Sequence, residues 1–158
     1  MELNEKVANF TLQDDHDHTV HLTDFAGKPV VLFFYPKADT PGCTIEACGF
    51  RDTFEKLQAA GAIVLGISRD TPKAQAKFRE KYNLPYPLLA DVDEIVCNQF
   101  GVLKEKNMYG KKVIGIERTT FLIGPDQKLI KVFAKVKPEG HAEEVLAAIK
   151  EYAKAHKV

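Results

Sequence analysis

The pattern of apolar positions is dominated by two short runs, at residues 30–35 and 62–68. Both runs lack charged residues and are rich in β-branched, leucine and aromatic side chains, which is typical of strands buried in a sheet. Between the runs, apolar residues share one helical stripe: Ala47, Phe50, Phe54 and Leu57. The pattern therefore predicts a buried strand, an amphipathic helix and a second buried strand.

Shorter segments on either side continue the alternation of strands and helices. Two partly alternating segments, 7–13 and 18–22, flank a polar turn and predict an N-terminal β-hairpin. A second helix is predicted to start at Pro72 or just before it, because proline suits the first helical position. A short strand at 88–90 and a short helix at 93–100 are expected to follow.

The last third of the chain predicts an antiparallel pair of strands and a final helix. Residues 102–110 are basic and lack periodicity, which predicts a loop. Strands are predicted at 115–123 and 128–133, joined by a tight turn, with a helix starting near Gly140. Together these elements predict one α/β domain over residues 1–158, a three-layer sandwich with a mixed central β-sheet flanked by helices.

Composition excludes several classes of function. The 158-residue chain has 22 basic and 22 acidic residues, so no net field attracts nucleic acid or an anionic membrane. No apolar run approaches the roughly 18 residues of a membrane span. Residues 1–6 lack the basic and apolar blocks of a signal peptide, so we expect a cytoplasmic protein.

The three cysteines, Cys43, Cys48 and Cys97, do not form the scaffold of a small secreted protein. In a reducing compartment, a close pair such as Cys43 and Cys48 indicates a catalytic, redox-active or metal-binding role. The C-x4-C spacing is neither the C-x-x-C of a thioredoxin-type site nor a zinc-knuckle pattern. The cysteine pattern alone leaves these roles open.

Cys43 falls in the first turn of the predicted helix. Thr40 suits the N-cap, where its hydroxyl could cap the Cys43 amide, and Pro41 suits the first helical position. Unpaired amides and the positive end of the helix dipole favour a thiolate at this place, and the thiolate is the nucleophilic form of cysteine. The alternative is a small buried hydrophobe, the commonest fate of a free cysteine, and position alone does not decide between them.

The spacing Pro36-x-x-x-Thr40-x-x-Cys43 is the signature of peroxiredoxins, and the chain resembles this family closely. Within the family it is similar to the PrxQ, or bacterioferritin comigratory protein, subgroup. The similarity covers nearly the whole chain, and further segments carry it: 33–37, 40–44, 46–48, 50–52, 65–68 with Asp70, 100–102 and 118–123.

The resemblance implies a thioredoxin-like fold and the reduction of hydrogen peroxide and organic hydroperoxides. It further implies that Cys43 is the peroxidatic cysteine, that Cys48 resolves it, and that thioredoxin or a similar dithiol protein recycles the disulfide. No cofactor or metal is expected, and the family tendency indicates a monomer. Leu103 stands where the subgroup often has an aromatic residue, which leaves the peroxide preference open.

Three further residues are candidates for the site. Arg118 is expected on a strand, where its permanently charged guanidinium could stabilise both the thiolate and the departing oxygen. Without the resemblance, a solvated strand charge would be the preferred interpretation of Arg118. Pro36 is expected to shield the thiolate, unless it merely ends the strand. Glu46 could orient an arginine, or be only a first-turn carboxylate that the helix dipole favours.

Helix geometry constrains a disulfide between Cys43 and Cys48. Five residues apart on an intact helix, their Cα atoms lie roughly 8–9 Å apart and point in different directions. A disulfide tolerates at most about 7 Å. We therefore predict that the first turns of the helix unwind during each catalytic cycle, as a locally unstable segment can.

The remaining candidates have simpler interpretations. Cys97 lies among apolar residues, which indicates a buried, inert thiol. His16, His18 and His21 lie near aspartates in the predicted hairpin, but no further cluster completes a coordination shell, so we expect no metal site. Two rival functions remain: a general thiol–disulfide oxidoreductase, and a peroxide-sensing binding protein that uses Cys43 oxidation as a signal.

Overall fold

A seven-stranded mixed sheet forms the centre of the structure, a computed structural model that describes residues 1–155 apart from the side chain of Met108. Residues 156–158 of the predicted domain lie outside the described residues. The strands and helices are β1 (Thr11–Asp14), β2 (Thr19–His21), β3 (Val30–Phe34), α1 (Pro41–Ala59), β4 (Ile63–Ser68), α2 (Pro72–Tyr82), β5 (Leu88–Ala90), α3 (Ile95–Gln99), β6 (Leu103–Met108), β7 (Lys111–Ile116), β8 (Thr119–Ile123), β9 (Leu129–Phe133) and α4 (His141–Ala155).

The strand order in the sheet is β2-β1-β5-β4-β3-β8-β9. Strands β3, β4 and β5 run parallel, whereas the predicted N-terminal hairpin and the β8–β9 hairpin join the sheet antiparallel. The predicted mixed sheet flanked by helices is thus confirmed. Among the described residues, no helix combines the length and apolarity needed to cross a membrane.

Strand β3 is the centre of the core because both of its faces are covered. Val31 and Phe33 pack with the buried faces of α1, α2 and α4. Leu32 and Phe34 point to the opposite face, in a second apolar cluster that includes α3 and the N-terminal segment. The alternation follows from the two-residue period of a strand, and it explains why this run is apolar throughout.

Helix α1 is fixed on the sheet by aromatic contacts and a buried hydrogen bond. The Phe50 ring stacks on Phe33 with a centroid distance of 4.6 Å. The Tyr86 hydroxyl donates to the carbonyl oxygen of Ala47 at 2.7 Å. These contacts hold the middle of α1, so the first turn of the helix is positioned directly after the carboxyl end of β3.

The prediction for residues 102–110 is wrong. These residues belong to β6 and the turn that joins it to β7 in a separate two-stranded antiparallel ribbon. The predicted single strand 115–123 is also divided, into β7 and β8, with Glu117 and Arg118 between them. Because charged residues occupy both faces of a ribbon that is largely exposed, the sequence shows no apolar alternation there.

Candidate active site

The loop between β3 and α1 carries the predicted site. It is held in place by a series of hydrogen bonds to side chains at and just after the end of β4 and in α2. The Ala38 amide donates to Asp70 Oδ2 at 2.8 Å, and the Ser68 hydroxyl donates to the same oxygen at 2.5 Å. Gln75 Nε2 donates to the Ser68 hydroxyl at 2.8 Å, and Gln75 Oε1 accepts a bond from the Tyr35 hydroxyl. The carboxyl end of β4 and the start of α2 therefore fix the loop.

Sequence reasoning missed Asp70 as a supporting residue of the site. A signal was available, because Ser68 and Asp70 lie at the carboxyl end of a buried parallel strand. In open α/β sheets, that end of the strands is where ligand-binding groups gather.

Thr40 is the N-cap residue of α1, but its hydroxyl does not make the predicted bond to the Cys43 amide. Thr40 Oγ1 donates instead to the carbonyl oxygen of Lys37 at 2.7 Å, and the helix starts with the Thr44 amide donating to the Thr40 carbonyl. A hydroxyl has one proton and two lone pairs, so Thr40 Oγ1 can still accept a hydrogen bond from a ligand. Pro36 lies half-buried in the turn after β3, and its shielding role stays a prediction.

Arg118 reaches the sulfur of Cys43. Its Nη2 atom lies 3.5 Å from Cys43 Sγ, and its Nη1 atom lies 2.9 Å from Glu46 Oε1. Gly42 makes this approach possible, because a Cβ atom at that position would lie 2.9 Å from Arg118 Nη2. Arg118 sits in the connection before β8, so the expectation that it lies on a strand is wrong.

Burial and their mutual interaction together set the pKa values of Arg118 and Glu46. Burial raises the pKa of Glu46 to about 7, and the positive charge and hydrogen bond of Arg118 oppose that rise. Burial alone lowers the pKa of Arg118, but Glu46 and Cys43 raise it overall, so the guanidinium stays charged. Among the described side chains, Glu46 Oε2 is a buried oxygen without a hydrogen-bond partner.

Cys43 and Cys48 are both free thiols on a continuous α1 helix. Cys43 is 1% exposed in the first turn, whereas Cys48 is only partly buried. Burial raises the pKa of the Cys48 thiol, and the nearby Arg51 charge opposes this rise. Because the helix is intact, the two sulfurs cannot bond in this conformation.

Cys97 lies in the apolar core, with no exposed surface. The Asp91 carboxylate accepts bonds from the Val96 and Cys97 amides at 3.2 and 2.7 Å. Burial, followed by the hydrogen bond and negative charge of Asp91, raises the pKa of the Cys97 thiol far above its usual range. This thiol is therefore not a nucleophile at neutral pH.

The hairpin cluster of Asp14, Asp15 and His16 has oxygen and nitrogen atoms within 4.8 Å of one another. These carboxylates already have structural partners. Asp14 Oδ1 accepts from the amides of His16 and His18, and Asp15 binds the guanidinium of Arg79 at 3.1 Å. Turn formation and charge pairing account for this cluster without a metal.

Comparisons with known proteins identify the family of the chain. Residues 3–132 match the AhpC/TSA family. The chain is 49% identical to peroxiredoxin Bcp of Escherichia coli strain K12, over 91% of this chain and 92% of the relative. It is 44% identical to peroxiredoxin Bcp of Bacillus subtilis strain 168, over 96% of each protein.

A solved structure of the bacterioferritin comigratory protein of Xanthomonas campestris superposes with a TM-score of 0.87 at 44% identity. The match covers 91% of this chain and 92% of that one. The Xanthomonas campestris protein has alkyl peroxide reduction activity. Because both identity and coverage are high, the chain belongs to the AhpC/TSA family as a peroxiredoxin of the Bcp/PrxQ type.

Proposed function

We propose that Cys43 is the nucleophile with which this thiol peroxidase reduces hydrogen peroxide and organic hydroperoxides. One observation carries the assignment: the Cys43 sulfur lies in the first turn of α1, 3.5 Å from Arg118 Nη2. The helix terminus and the guanidinium both favour a thiolate, which is the form of sulfur that attacks.

In the proposed reaction, the Cys43 thiolate attacks the terminal oxygen of a hydroperoxide. The S–O bond forms as the O–O bond breaks, and an alkoxide or hydroxide leaves and takes up a proton from solvent. The sulfur is oxidised by two electrons to a sulfenic acid, and the peroxide is reduced to an alcohol or water. Arg118 stabilises the negative charge that develops on the leaving oxygen.

Three other residues prepare the site. Thr40 Oγ1 donates to Lys37 and keeps lone pairs that can accept the peroxide O–H. Glu46 holds one arm of Arg118, so that Nη2 is directed at the sulfur. Pro36 is proposed to limit the access of water to the thiolate.

The sulfenic acid then condenses with the thiol of Cys48, forming the Cys43–Cys48 disulfide and releasing water. The first turns of α1 unwind for this step, because the intact helix separates the two sulfurs. Unwinding also exposes Cys48 to solvent, which removes the burial that raises its pKa.

A dithiol protein such as thioredoxin is the proposed reductant, because reduction of an intramolecular disulfide needs two electrons and two thiols. Such recycling places the enzyme in a reducing compartment, and we propose the cytoplasm. Since both cysteines belong to one chain, the cycle needs no second copy, and we propose a monomer.

The test follows peroxide consumption with thioredoxin, thioredoxin reductase and NADPH. The wild type should turn over, Cys43→Ser should be inactive, and Cys48→Ser should consume one equivalent and then stall. Cys97→Ser is the matched control and should retain activity. A wild type that reduces insulin disulfides but consumes no peroxide would instead be a general thiol–disulfide oxidoreductase.

A further inference from the structure

Lys106 in the β6–β7 ribbon differs from an ordinary surface lysine, because its ammonium is hydrogen-bonded to the protein. Its ammonium donates to the carbonyl oxygen of Ile116 at 2.6 Å and is partly buried, whereas Lys104 on the same strand is exposed. Gly115 leaves room for it, since a Cβ atom there would lie 3.3 Å from Lys106 Cδ and 3.5 Å from Nζ. The lysine stem therefore crosses the ribbon over a glycine.

The bond from Lys106 fixes the start of the connection that carries Arg118. Ile116 lies two residues before Arg118, and the backbone between them is held at other points as well. The Glu117 amide donates to the Val102 carbonyl at 2.8 Å, and the Arg118 carbonyl accepts from the Val136 amide at 3.0 Å. Lys106 thus supplies one side-chain member of a set of contacts that fixes the backbone before Arg118; the Thr119 hydroxyl, which donates to the Glu117 carbonyl at 2.8 Å, is another.

The ammonium of Lys106 also lies within electrostatic range of the site. Burial lowers its pKa most, and the positive charges of Arg118 and Arg69 lower it further. The charges of Cys43 and Glu117 oppose this shift. The charges of Arg118 and Cys43 therefore both act on the Lys106 ammonium.

We propose that Lys106 positions Arg118 for its contact with the Cys43 sulfur, by fixing the backbone two residues before Arg118. This inference rests on the proposed role of Cys43. The hydrogen bond to Ile116 keeps Arg118 within reach of the thiolate before attack and of the oxyanion that develops during it. The consequence falls on the peroxide step, because attack by a dithiol on the Cys43–Cys48 disulfide does not involve a peroxide oxygen.

The test compares Lys106→Met, which keeps the length of the stem, with Lys106→Arg, which keeps the charge. Lys104→Met is the matched control, because it removes an exposed lysine from the same strand. Each change is made in a Cys48→Ser, Cys97→Ser background, where Cys43 is the remaining thiol. Two quantities are measured: the rate constant with hydrogen peroxide, and the pH profile of Cys43 alkylation by iodoacetamide.

Lys106→Met should lower the peroxide rate constant roughly tenfold and move the alkylation profile to higher pH. Lys106→Arg should restore most of both, and Lys104→Met should match the background protein. Should Lys106→Met not fold, Lys106→Gln makes the same comparison. The inference is overturned if Lys106→Met leaves the alkylation profile unchanged, or if Lys104→Met changes both quantities as much as Lys106→Met does.

The two measurements separate this inference from the proposed function. Alkylation of Cys43 needs no peroxide turnover, so its pH profile tests Lys106 even if the protein consumes no peroxide. Conversely, a protein that consumes peroxide with an unaltered Lys106→Met profile keeps its proposed function and loses only the role of Lys106.

Discussion

Arg118 and Cys43 lie 75 residues apart in the chain, yet Arg118 Nη2 is 3.5 Å from Cys43 Sγ. We expect Arg118→Met to lower the rate constant with peroxide by about 10²- to 10³-fold, the usual cost of removing a donor to a developing oxyanion. Stopped-flow or competition kinetics measures this rate. Arg118→Lys should recover only part of the loss, because an ammonium cannot contact Cys43 and Glu46 through two fixed arms. Wild-type rates in Arg118→Met would contradict the assignment.

Disulfide formation should open only the start of α1. We expect the amides of residues 44–46, the first that donate within the helix, to lose protection from hydrogen exchange on oxidation, whereas residues 50–59 keep theirs. The Tyr86 bond to the Ala47 carbonyl and the stacking of Phe50 on Phe33 hold the helix beyond that point.

Hydrogen exchange read by mass spectrometry compares the reduced and oxidised protein. Cys48→Ser treated with peroxide is the control, because it forms no intramolecular disulfide and should keep the reduced pattern. A Cys43–Cys48 disulfide that forms while every α1 amide stays protected would refute the opening.

Asp70 should matter for catalysis although it touches no substrate. Asp70→Asn weakens the charge-assisted bonds to the Ala38 amide and the Ser68 hydroxyl, so the loop before Cys43 loosens and peroxide reduction slows, by roughly tenfold. Asp39→Asn is a matched control, since Asp39 binds Lys81 on the exposed side of the same loop. Steady-state kinetics should show a loss in Asp70→Asn and near wild-type rates in Asp39→Asn.

Cys97 should be dispensable for turnover. Cys97→Ser keeps a small side chain beside Asp91, and burial holds the native thiol protonated, so neither its loss nor its replacement changes the peroxide reaction. Coupled turnover and thiol counting after peroxide treatment check this. Oxidation of Cys97 at the rate of Cys43 would overturn it.

Glu46 should make stability depend on pH. Its pKa is about 7 in the folded protein, against an ordinary value of 4.5. The folded state therefore holds a proton that the unfolded state loses, so this contribution is complete below pH 4.5 and is lost as pH rises toward 7. Relative to Glu46→Gln, the wild type should lose about 1–3 kcal/mol of unfolding free energy over this range.

Urea unfolding at several pH values measures the difference between the wild type and Glu46→Gln. Glu143→Gln is a control on the exposed side of α4. A difference between the wild type and Glu46→Gln that stays constant from pH 4.5 to 7.5 would mean that Glu46 does not titrate in this window.

Local patterns determined much of this protein. The apolar run of β3, the stripe of α1 and the Thr-Pro-Gly-Cys start of the helix are adjacent in sequence, so spacing alone predicted a sulfur at a helix N-terminus. The two-residue period of a strand and the 3.6-residue period of a helix determine which side chains are buried. The alternation of buried strands and amphipathic helices along the chain then predicts the mixed sheet.

Tertiary structure decided what surrounds that sulfur. Arg118 lies in a break between two strands that the sequence predicted as one, and Lys106 lies in a ribbon predicted as a loop. Asp70 supports the loop from the connection between β4 and α2. Such contacts join residues distant in the chain, and no local period encodes them. Charged and polar positions look alike along a sequence, whether they face solvent or a buried thiol, and only the packing of the chain distinguishes the two.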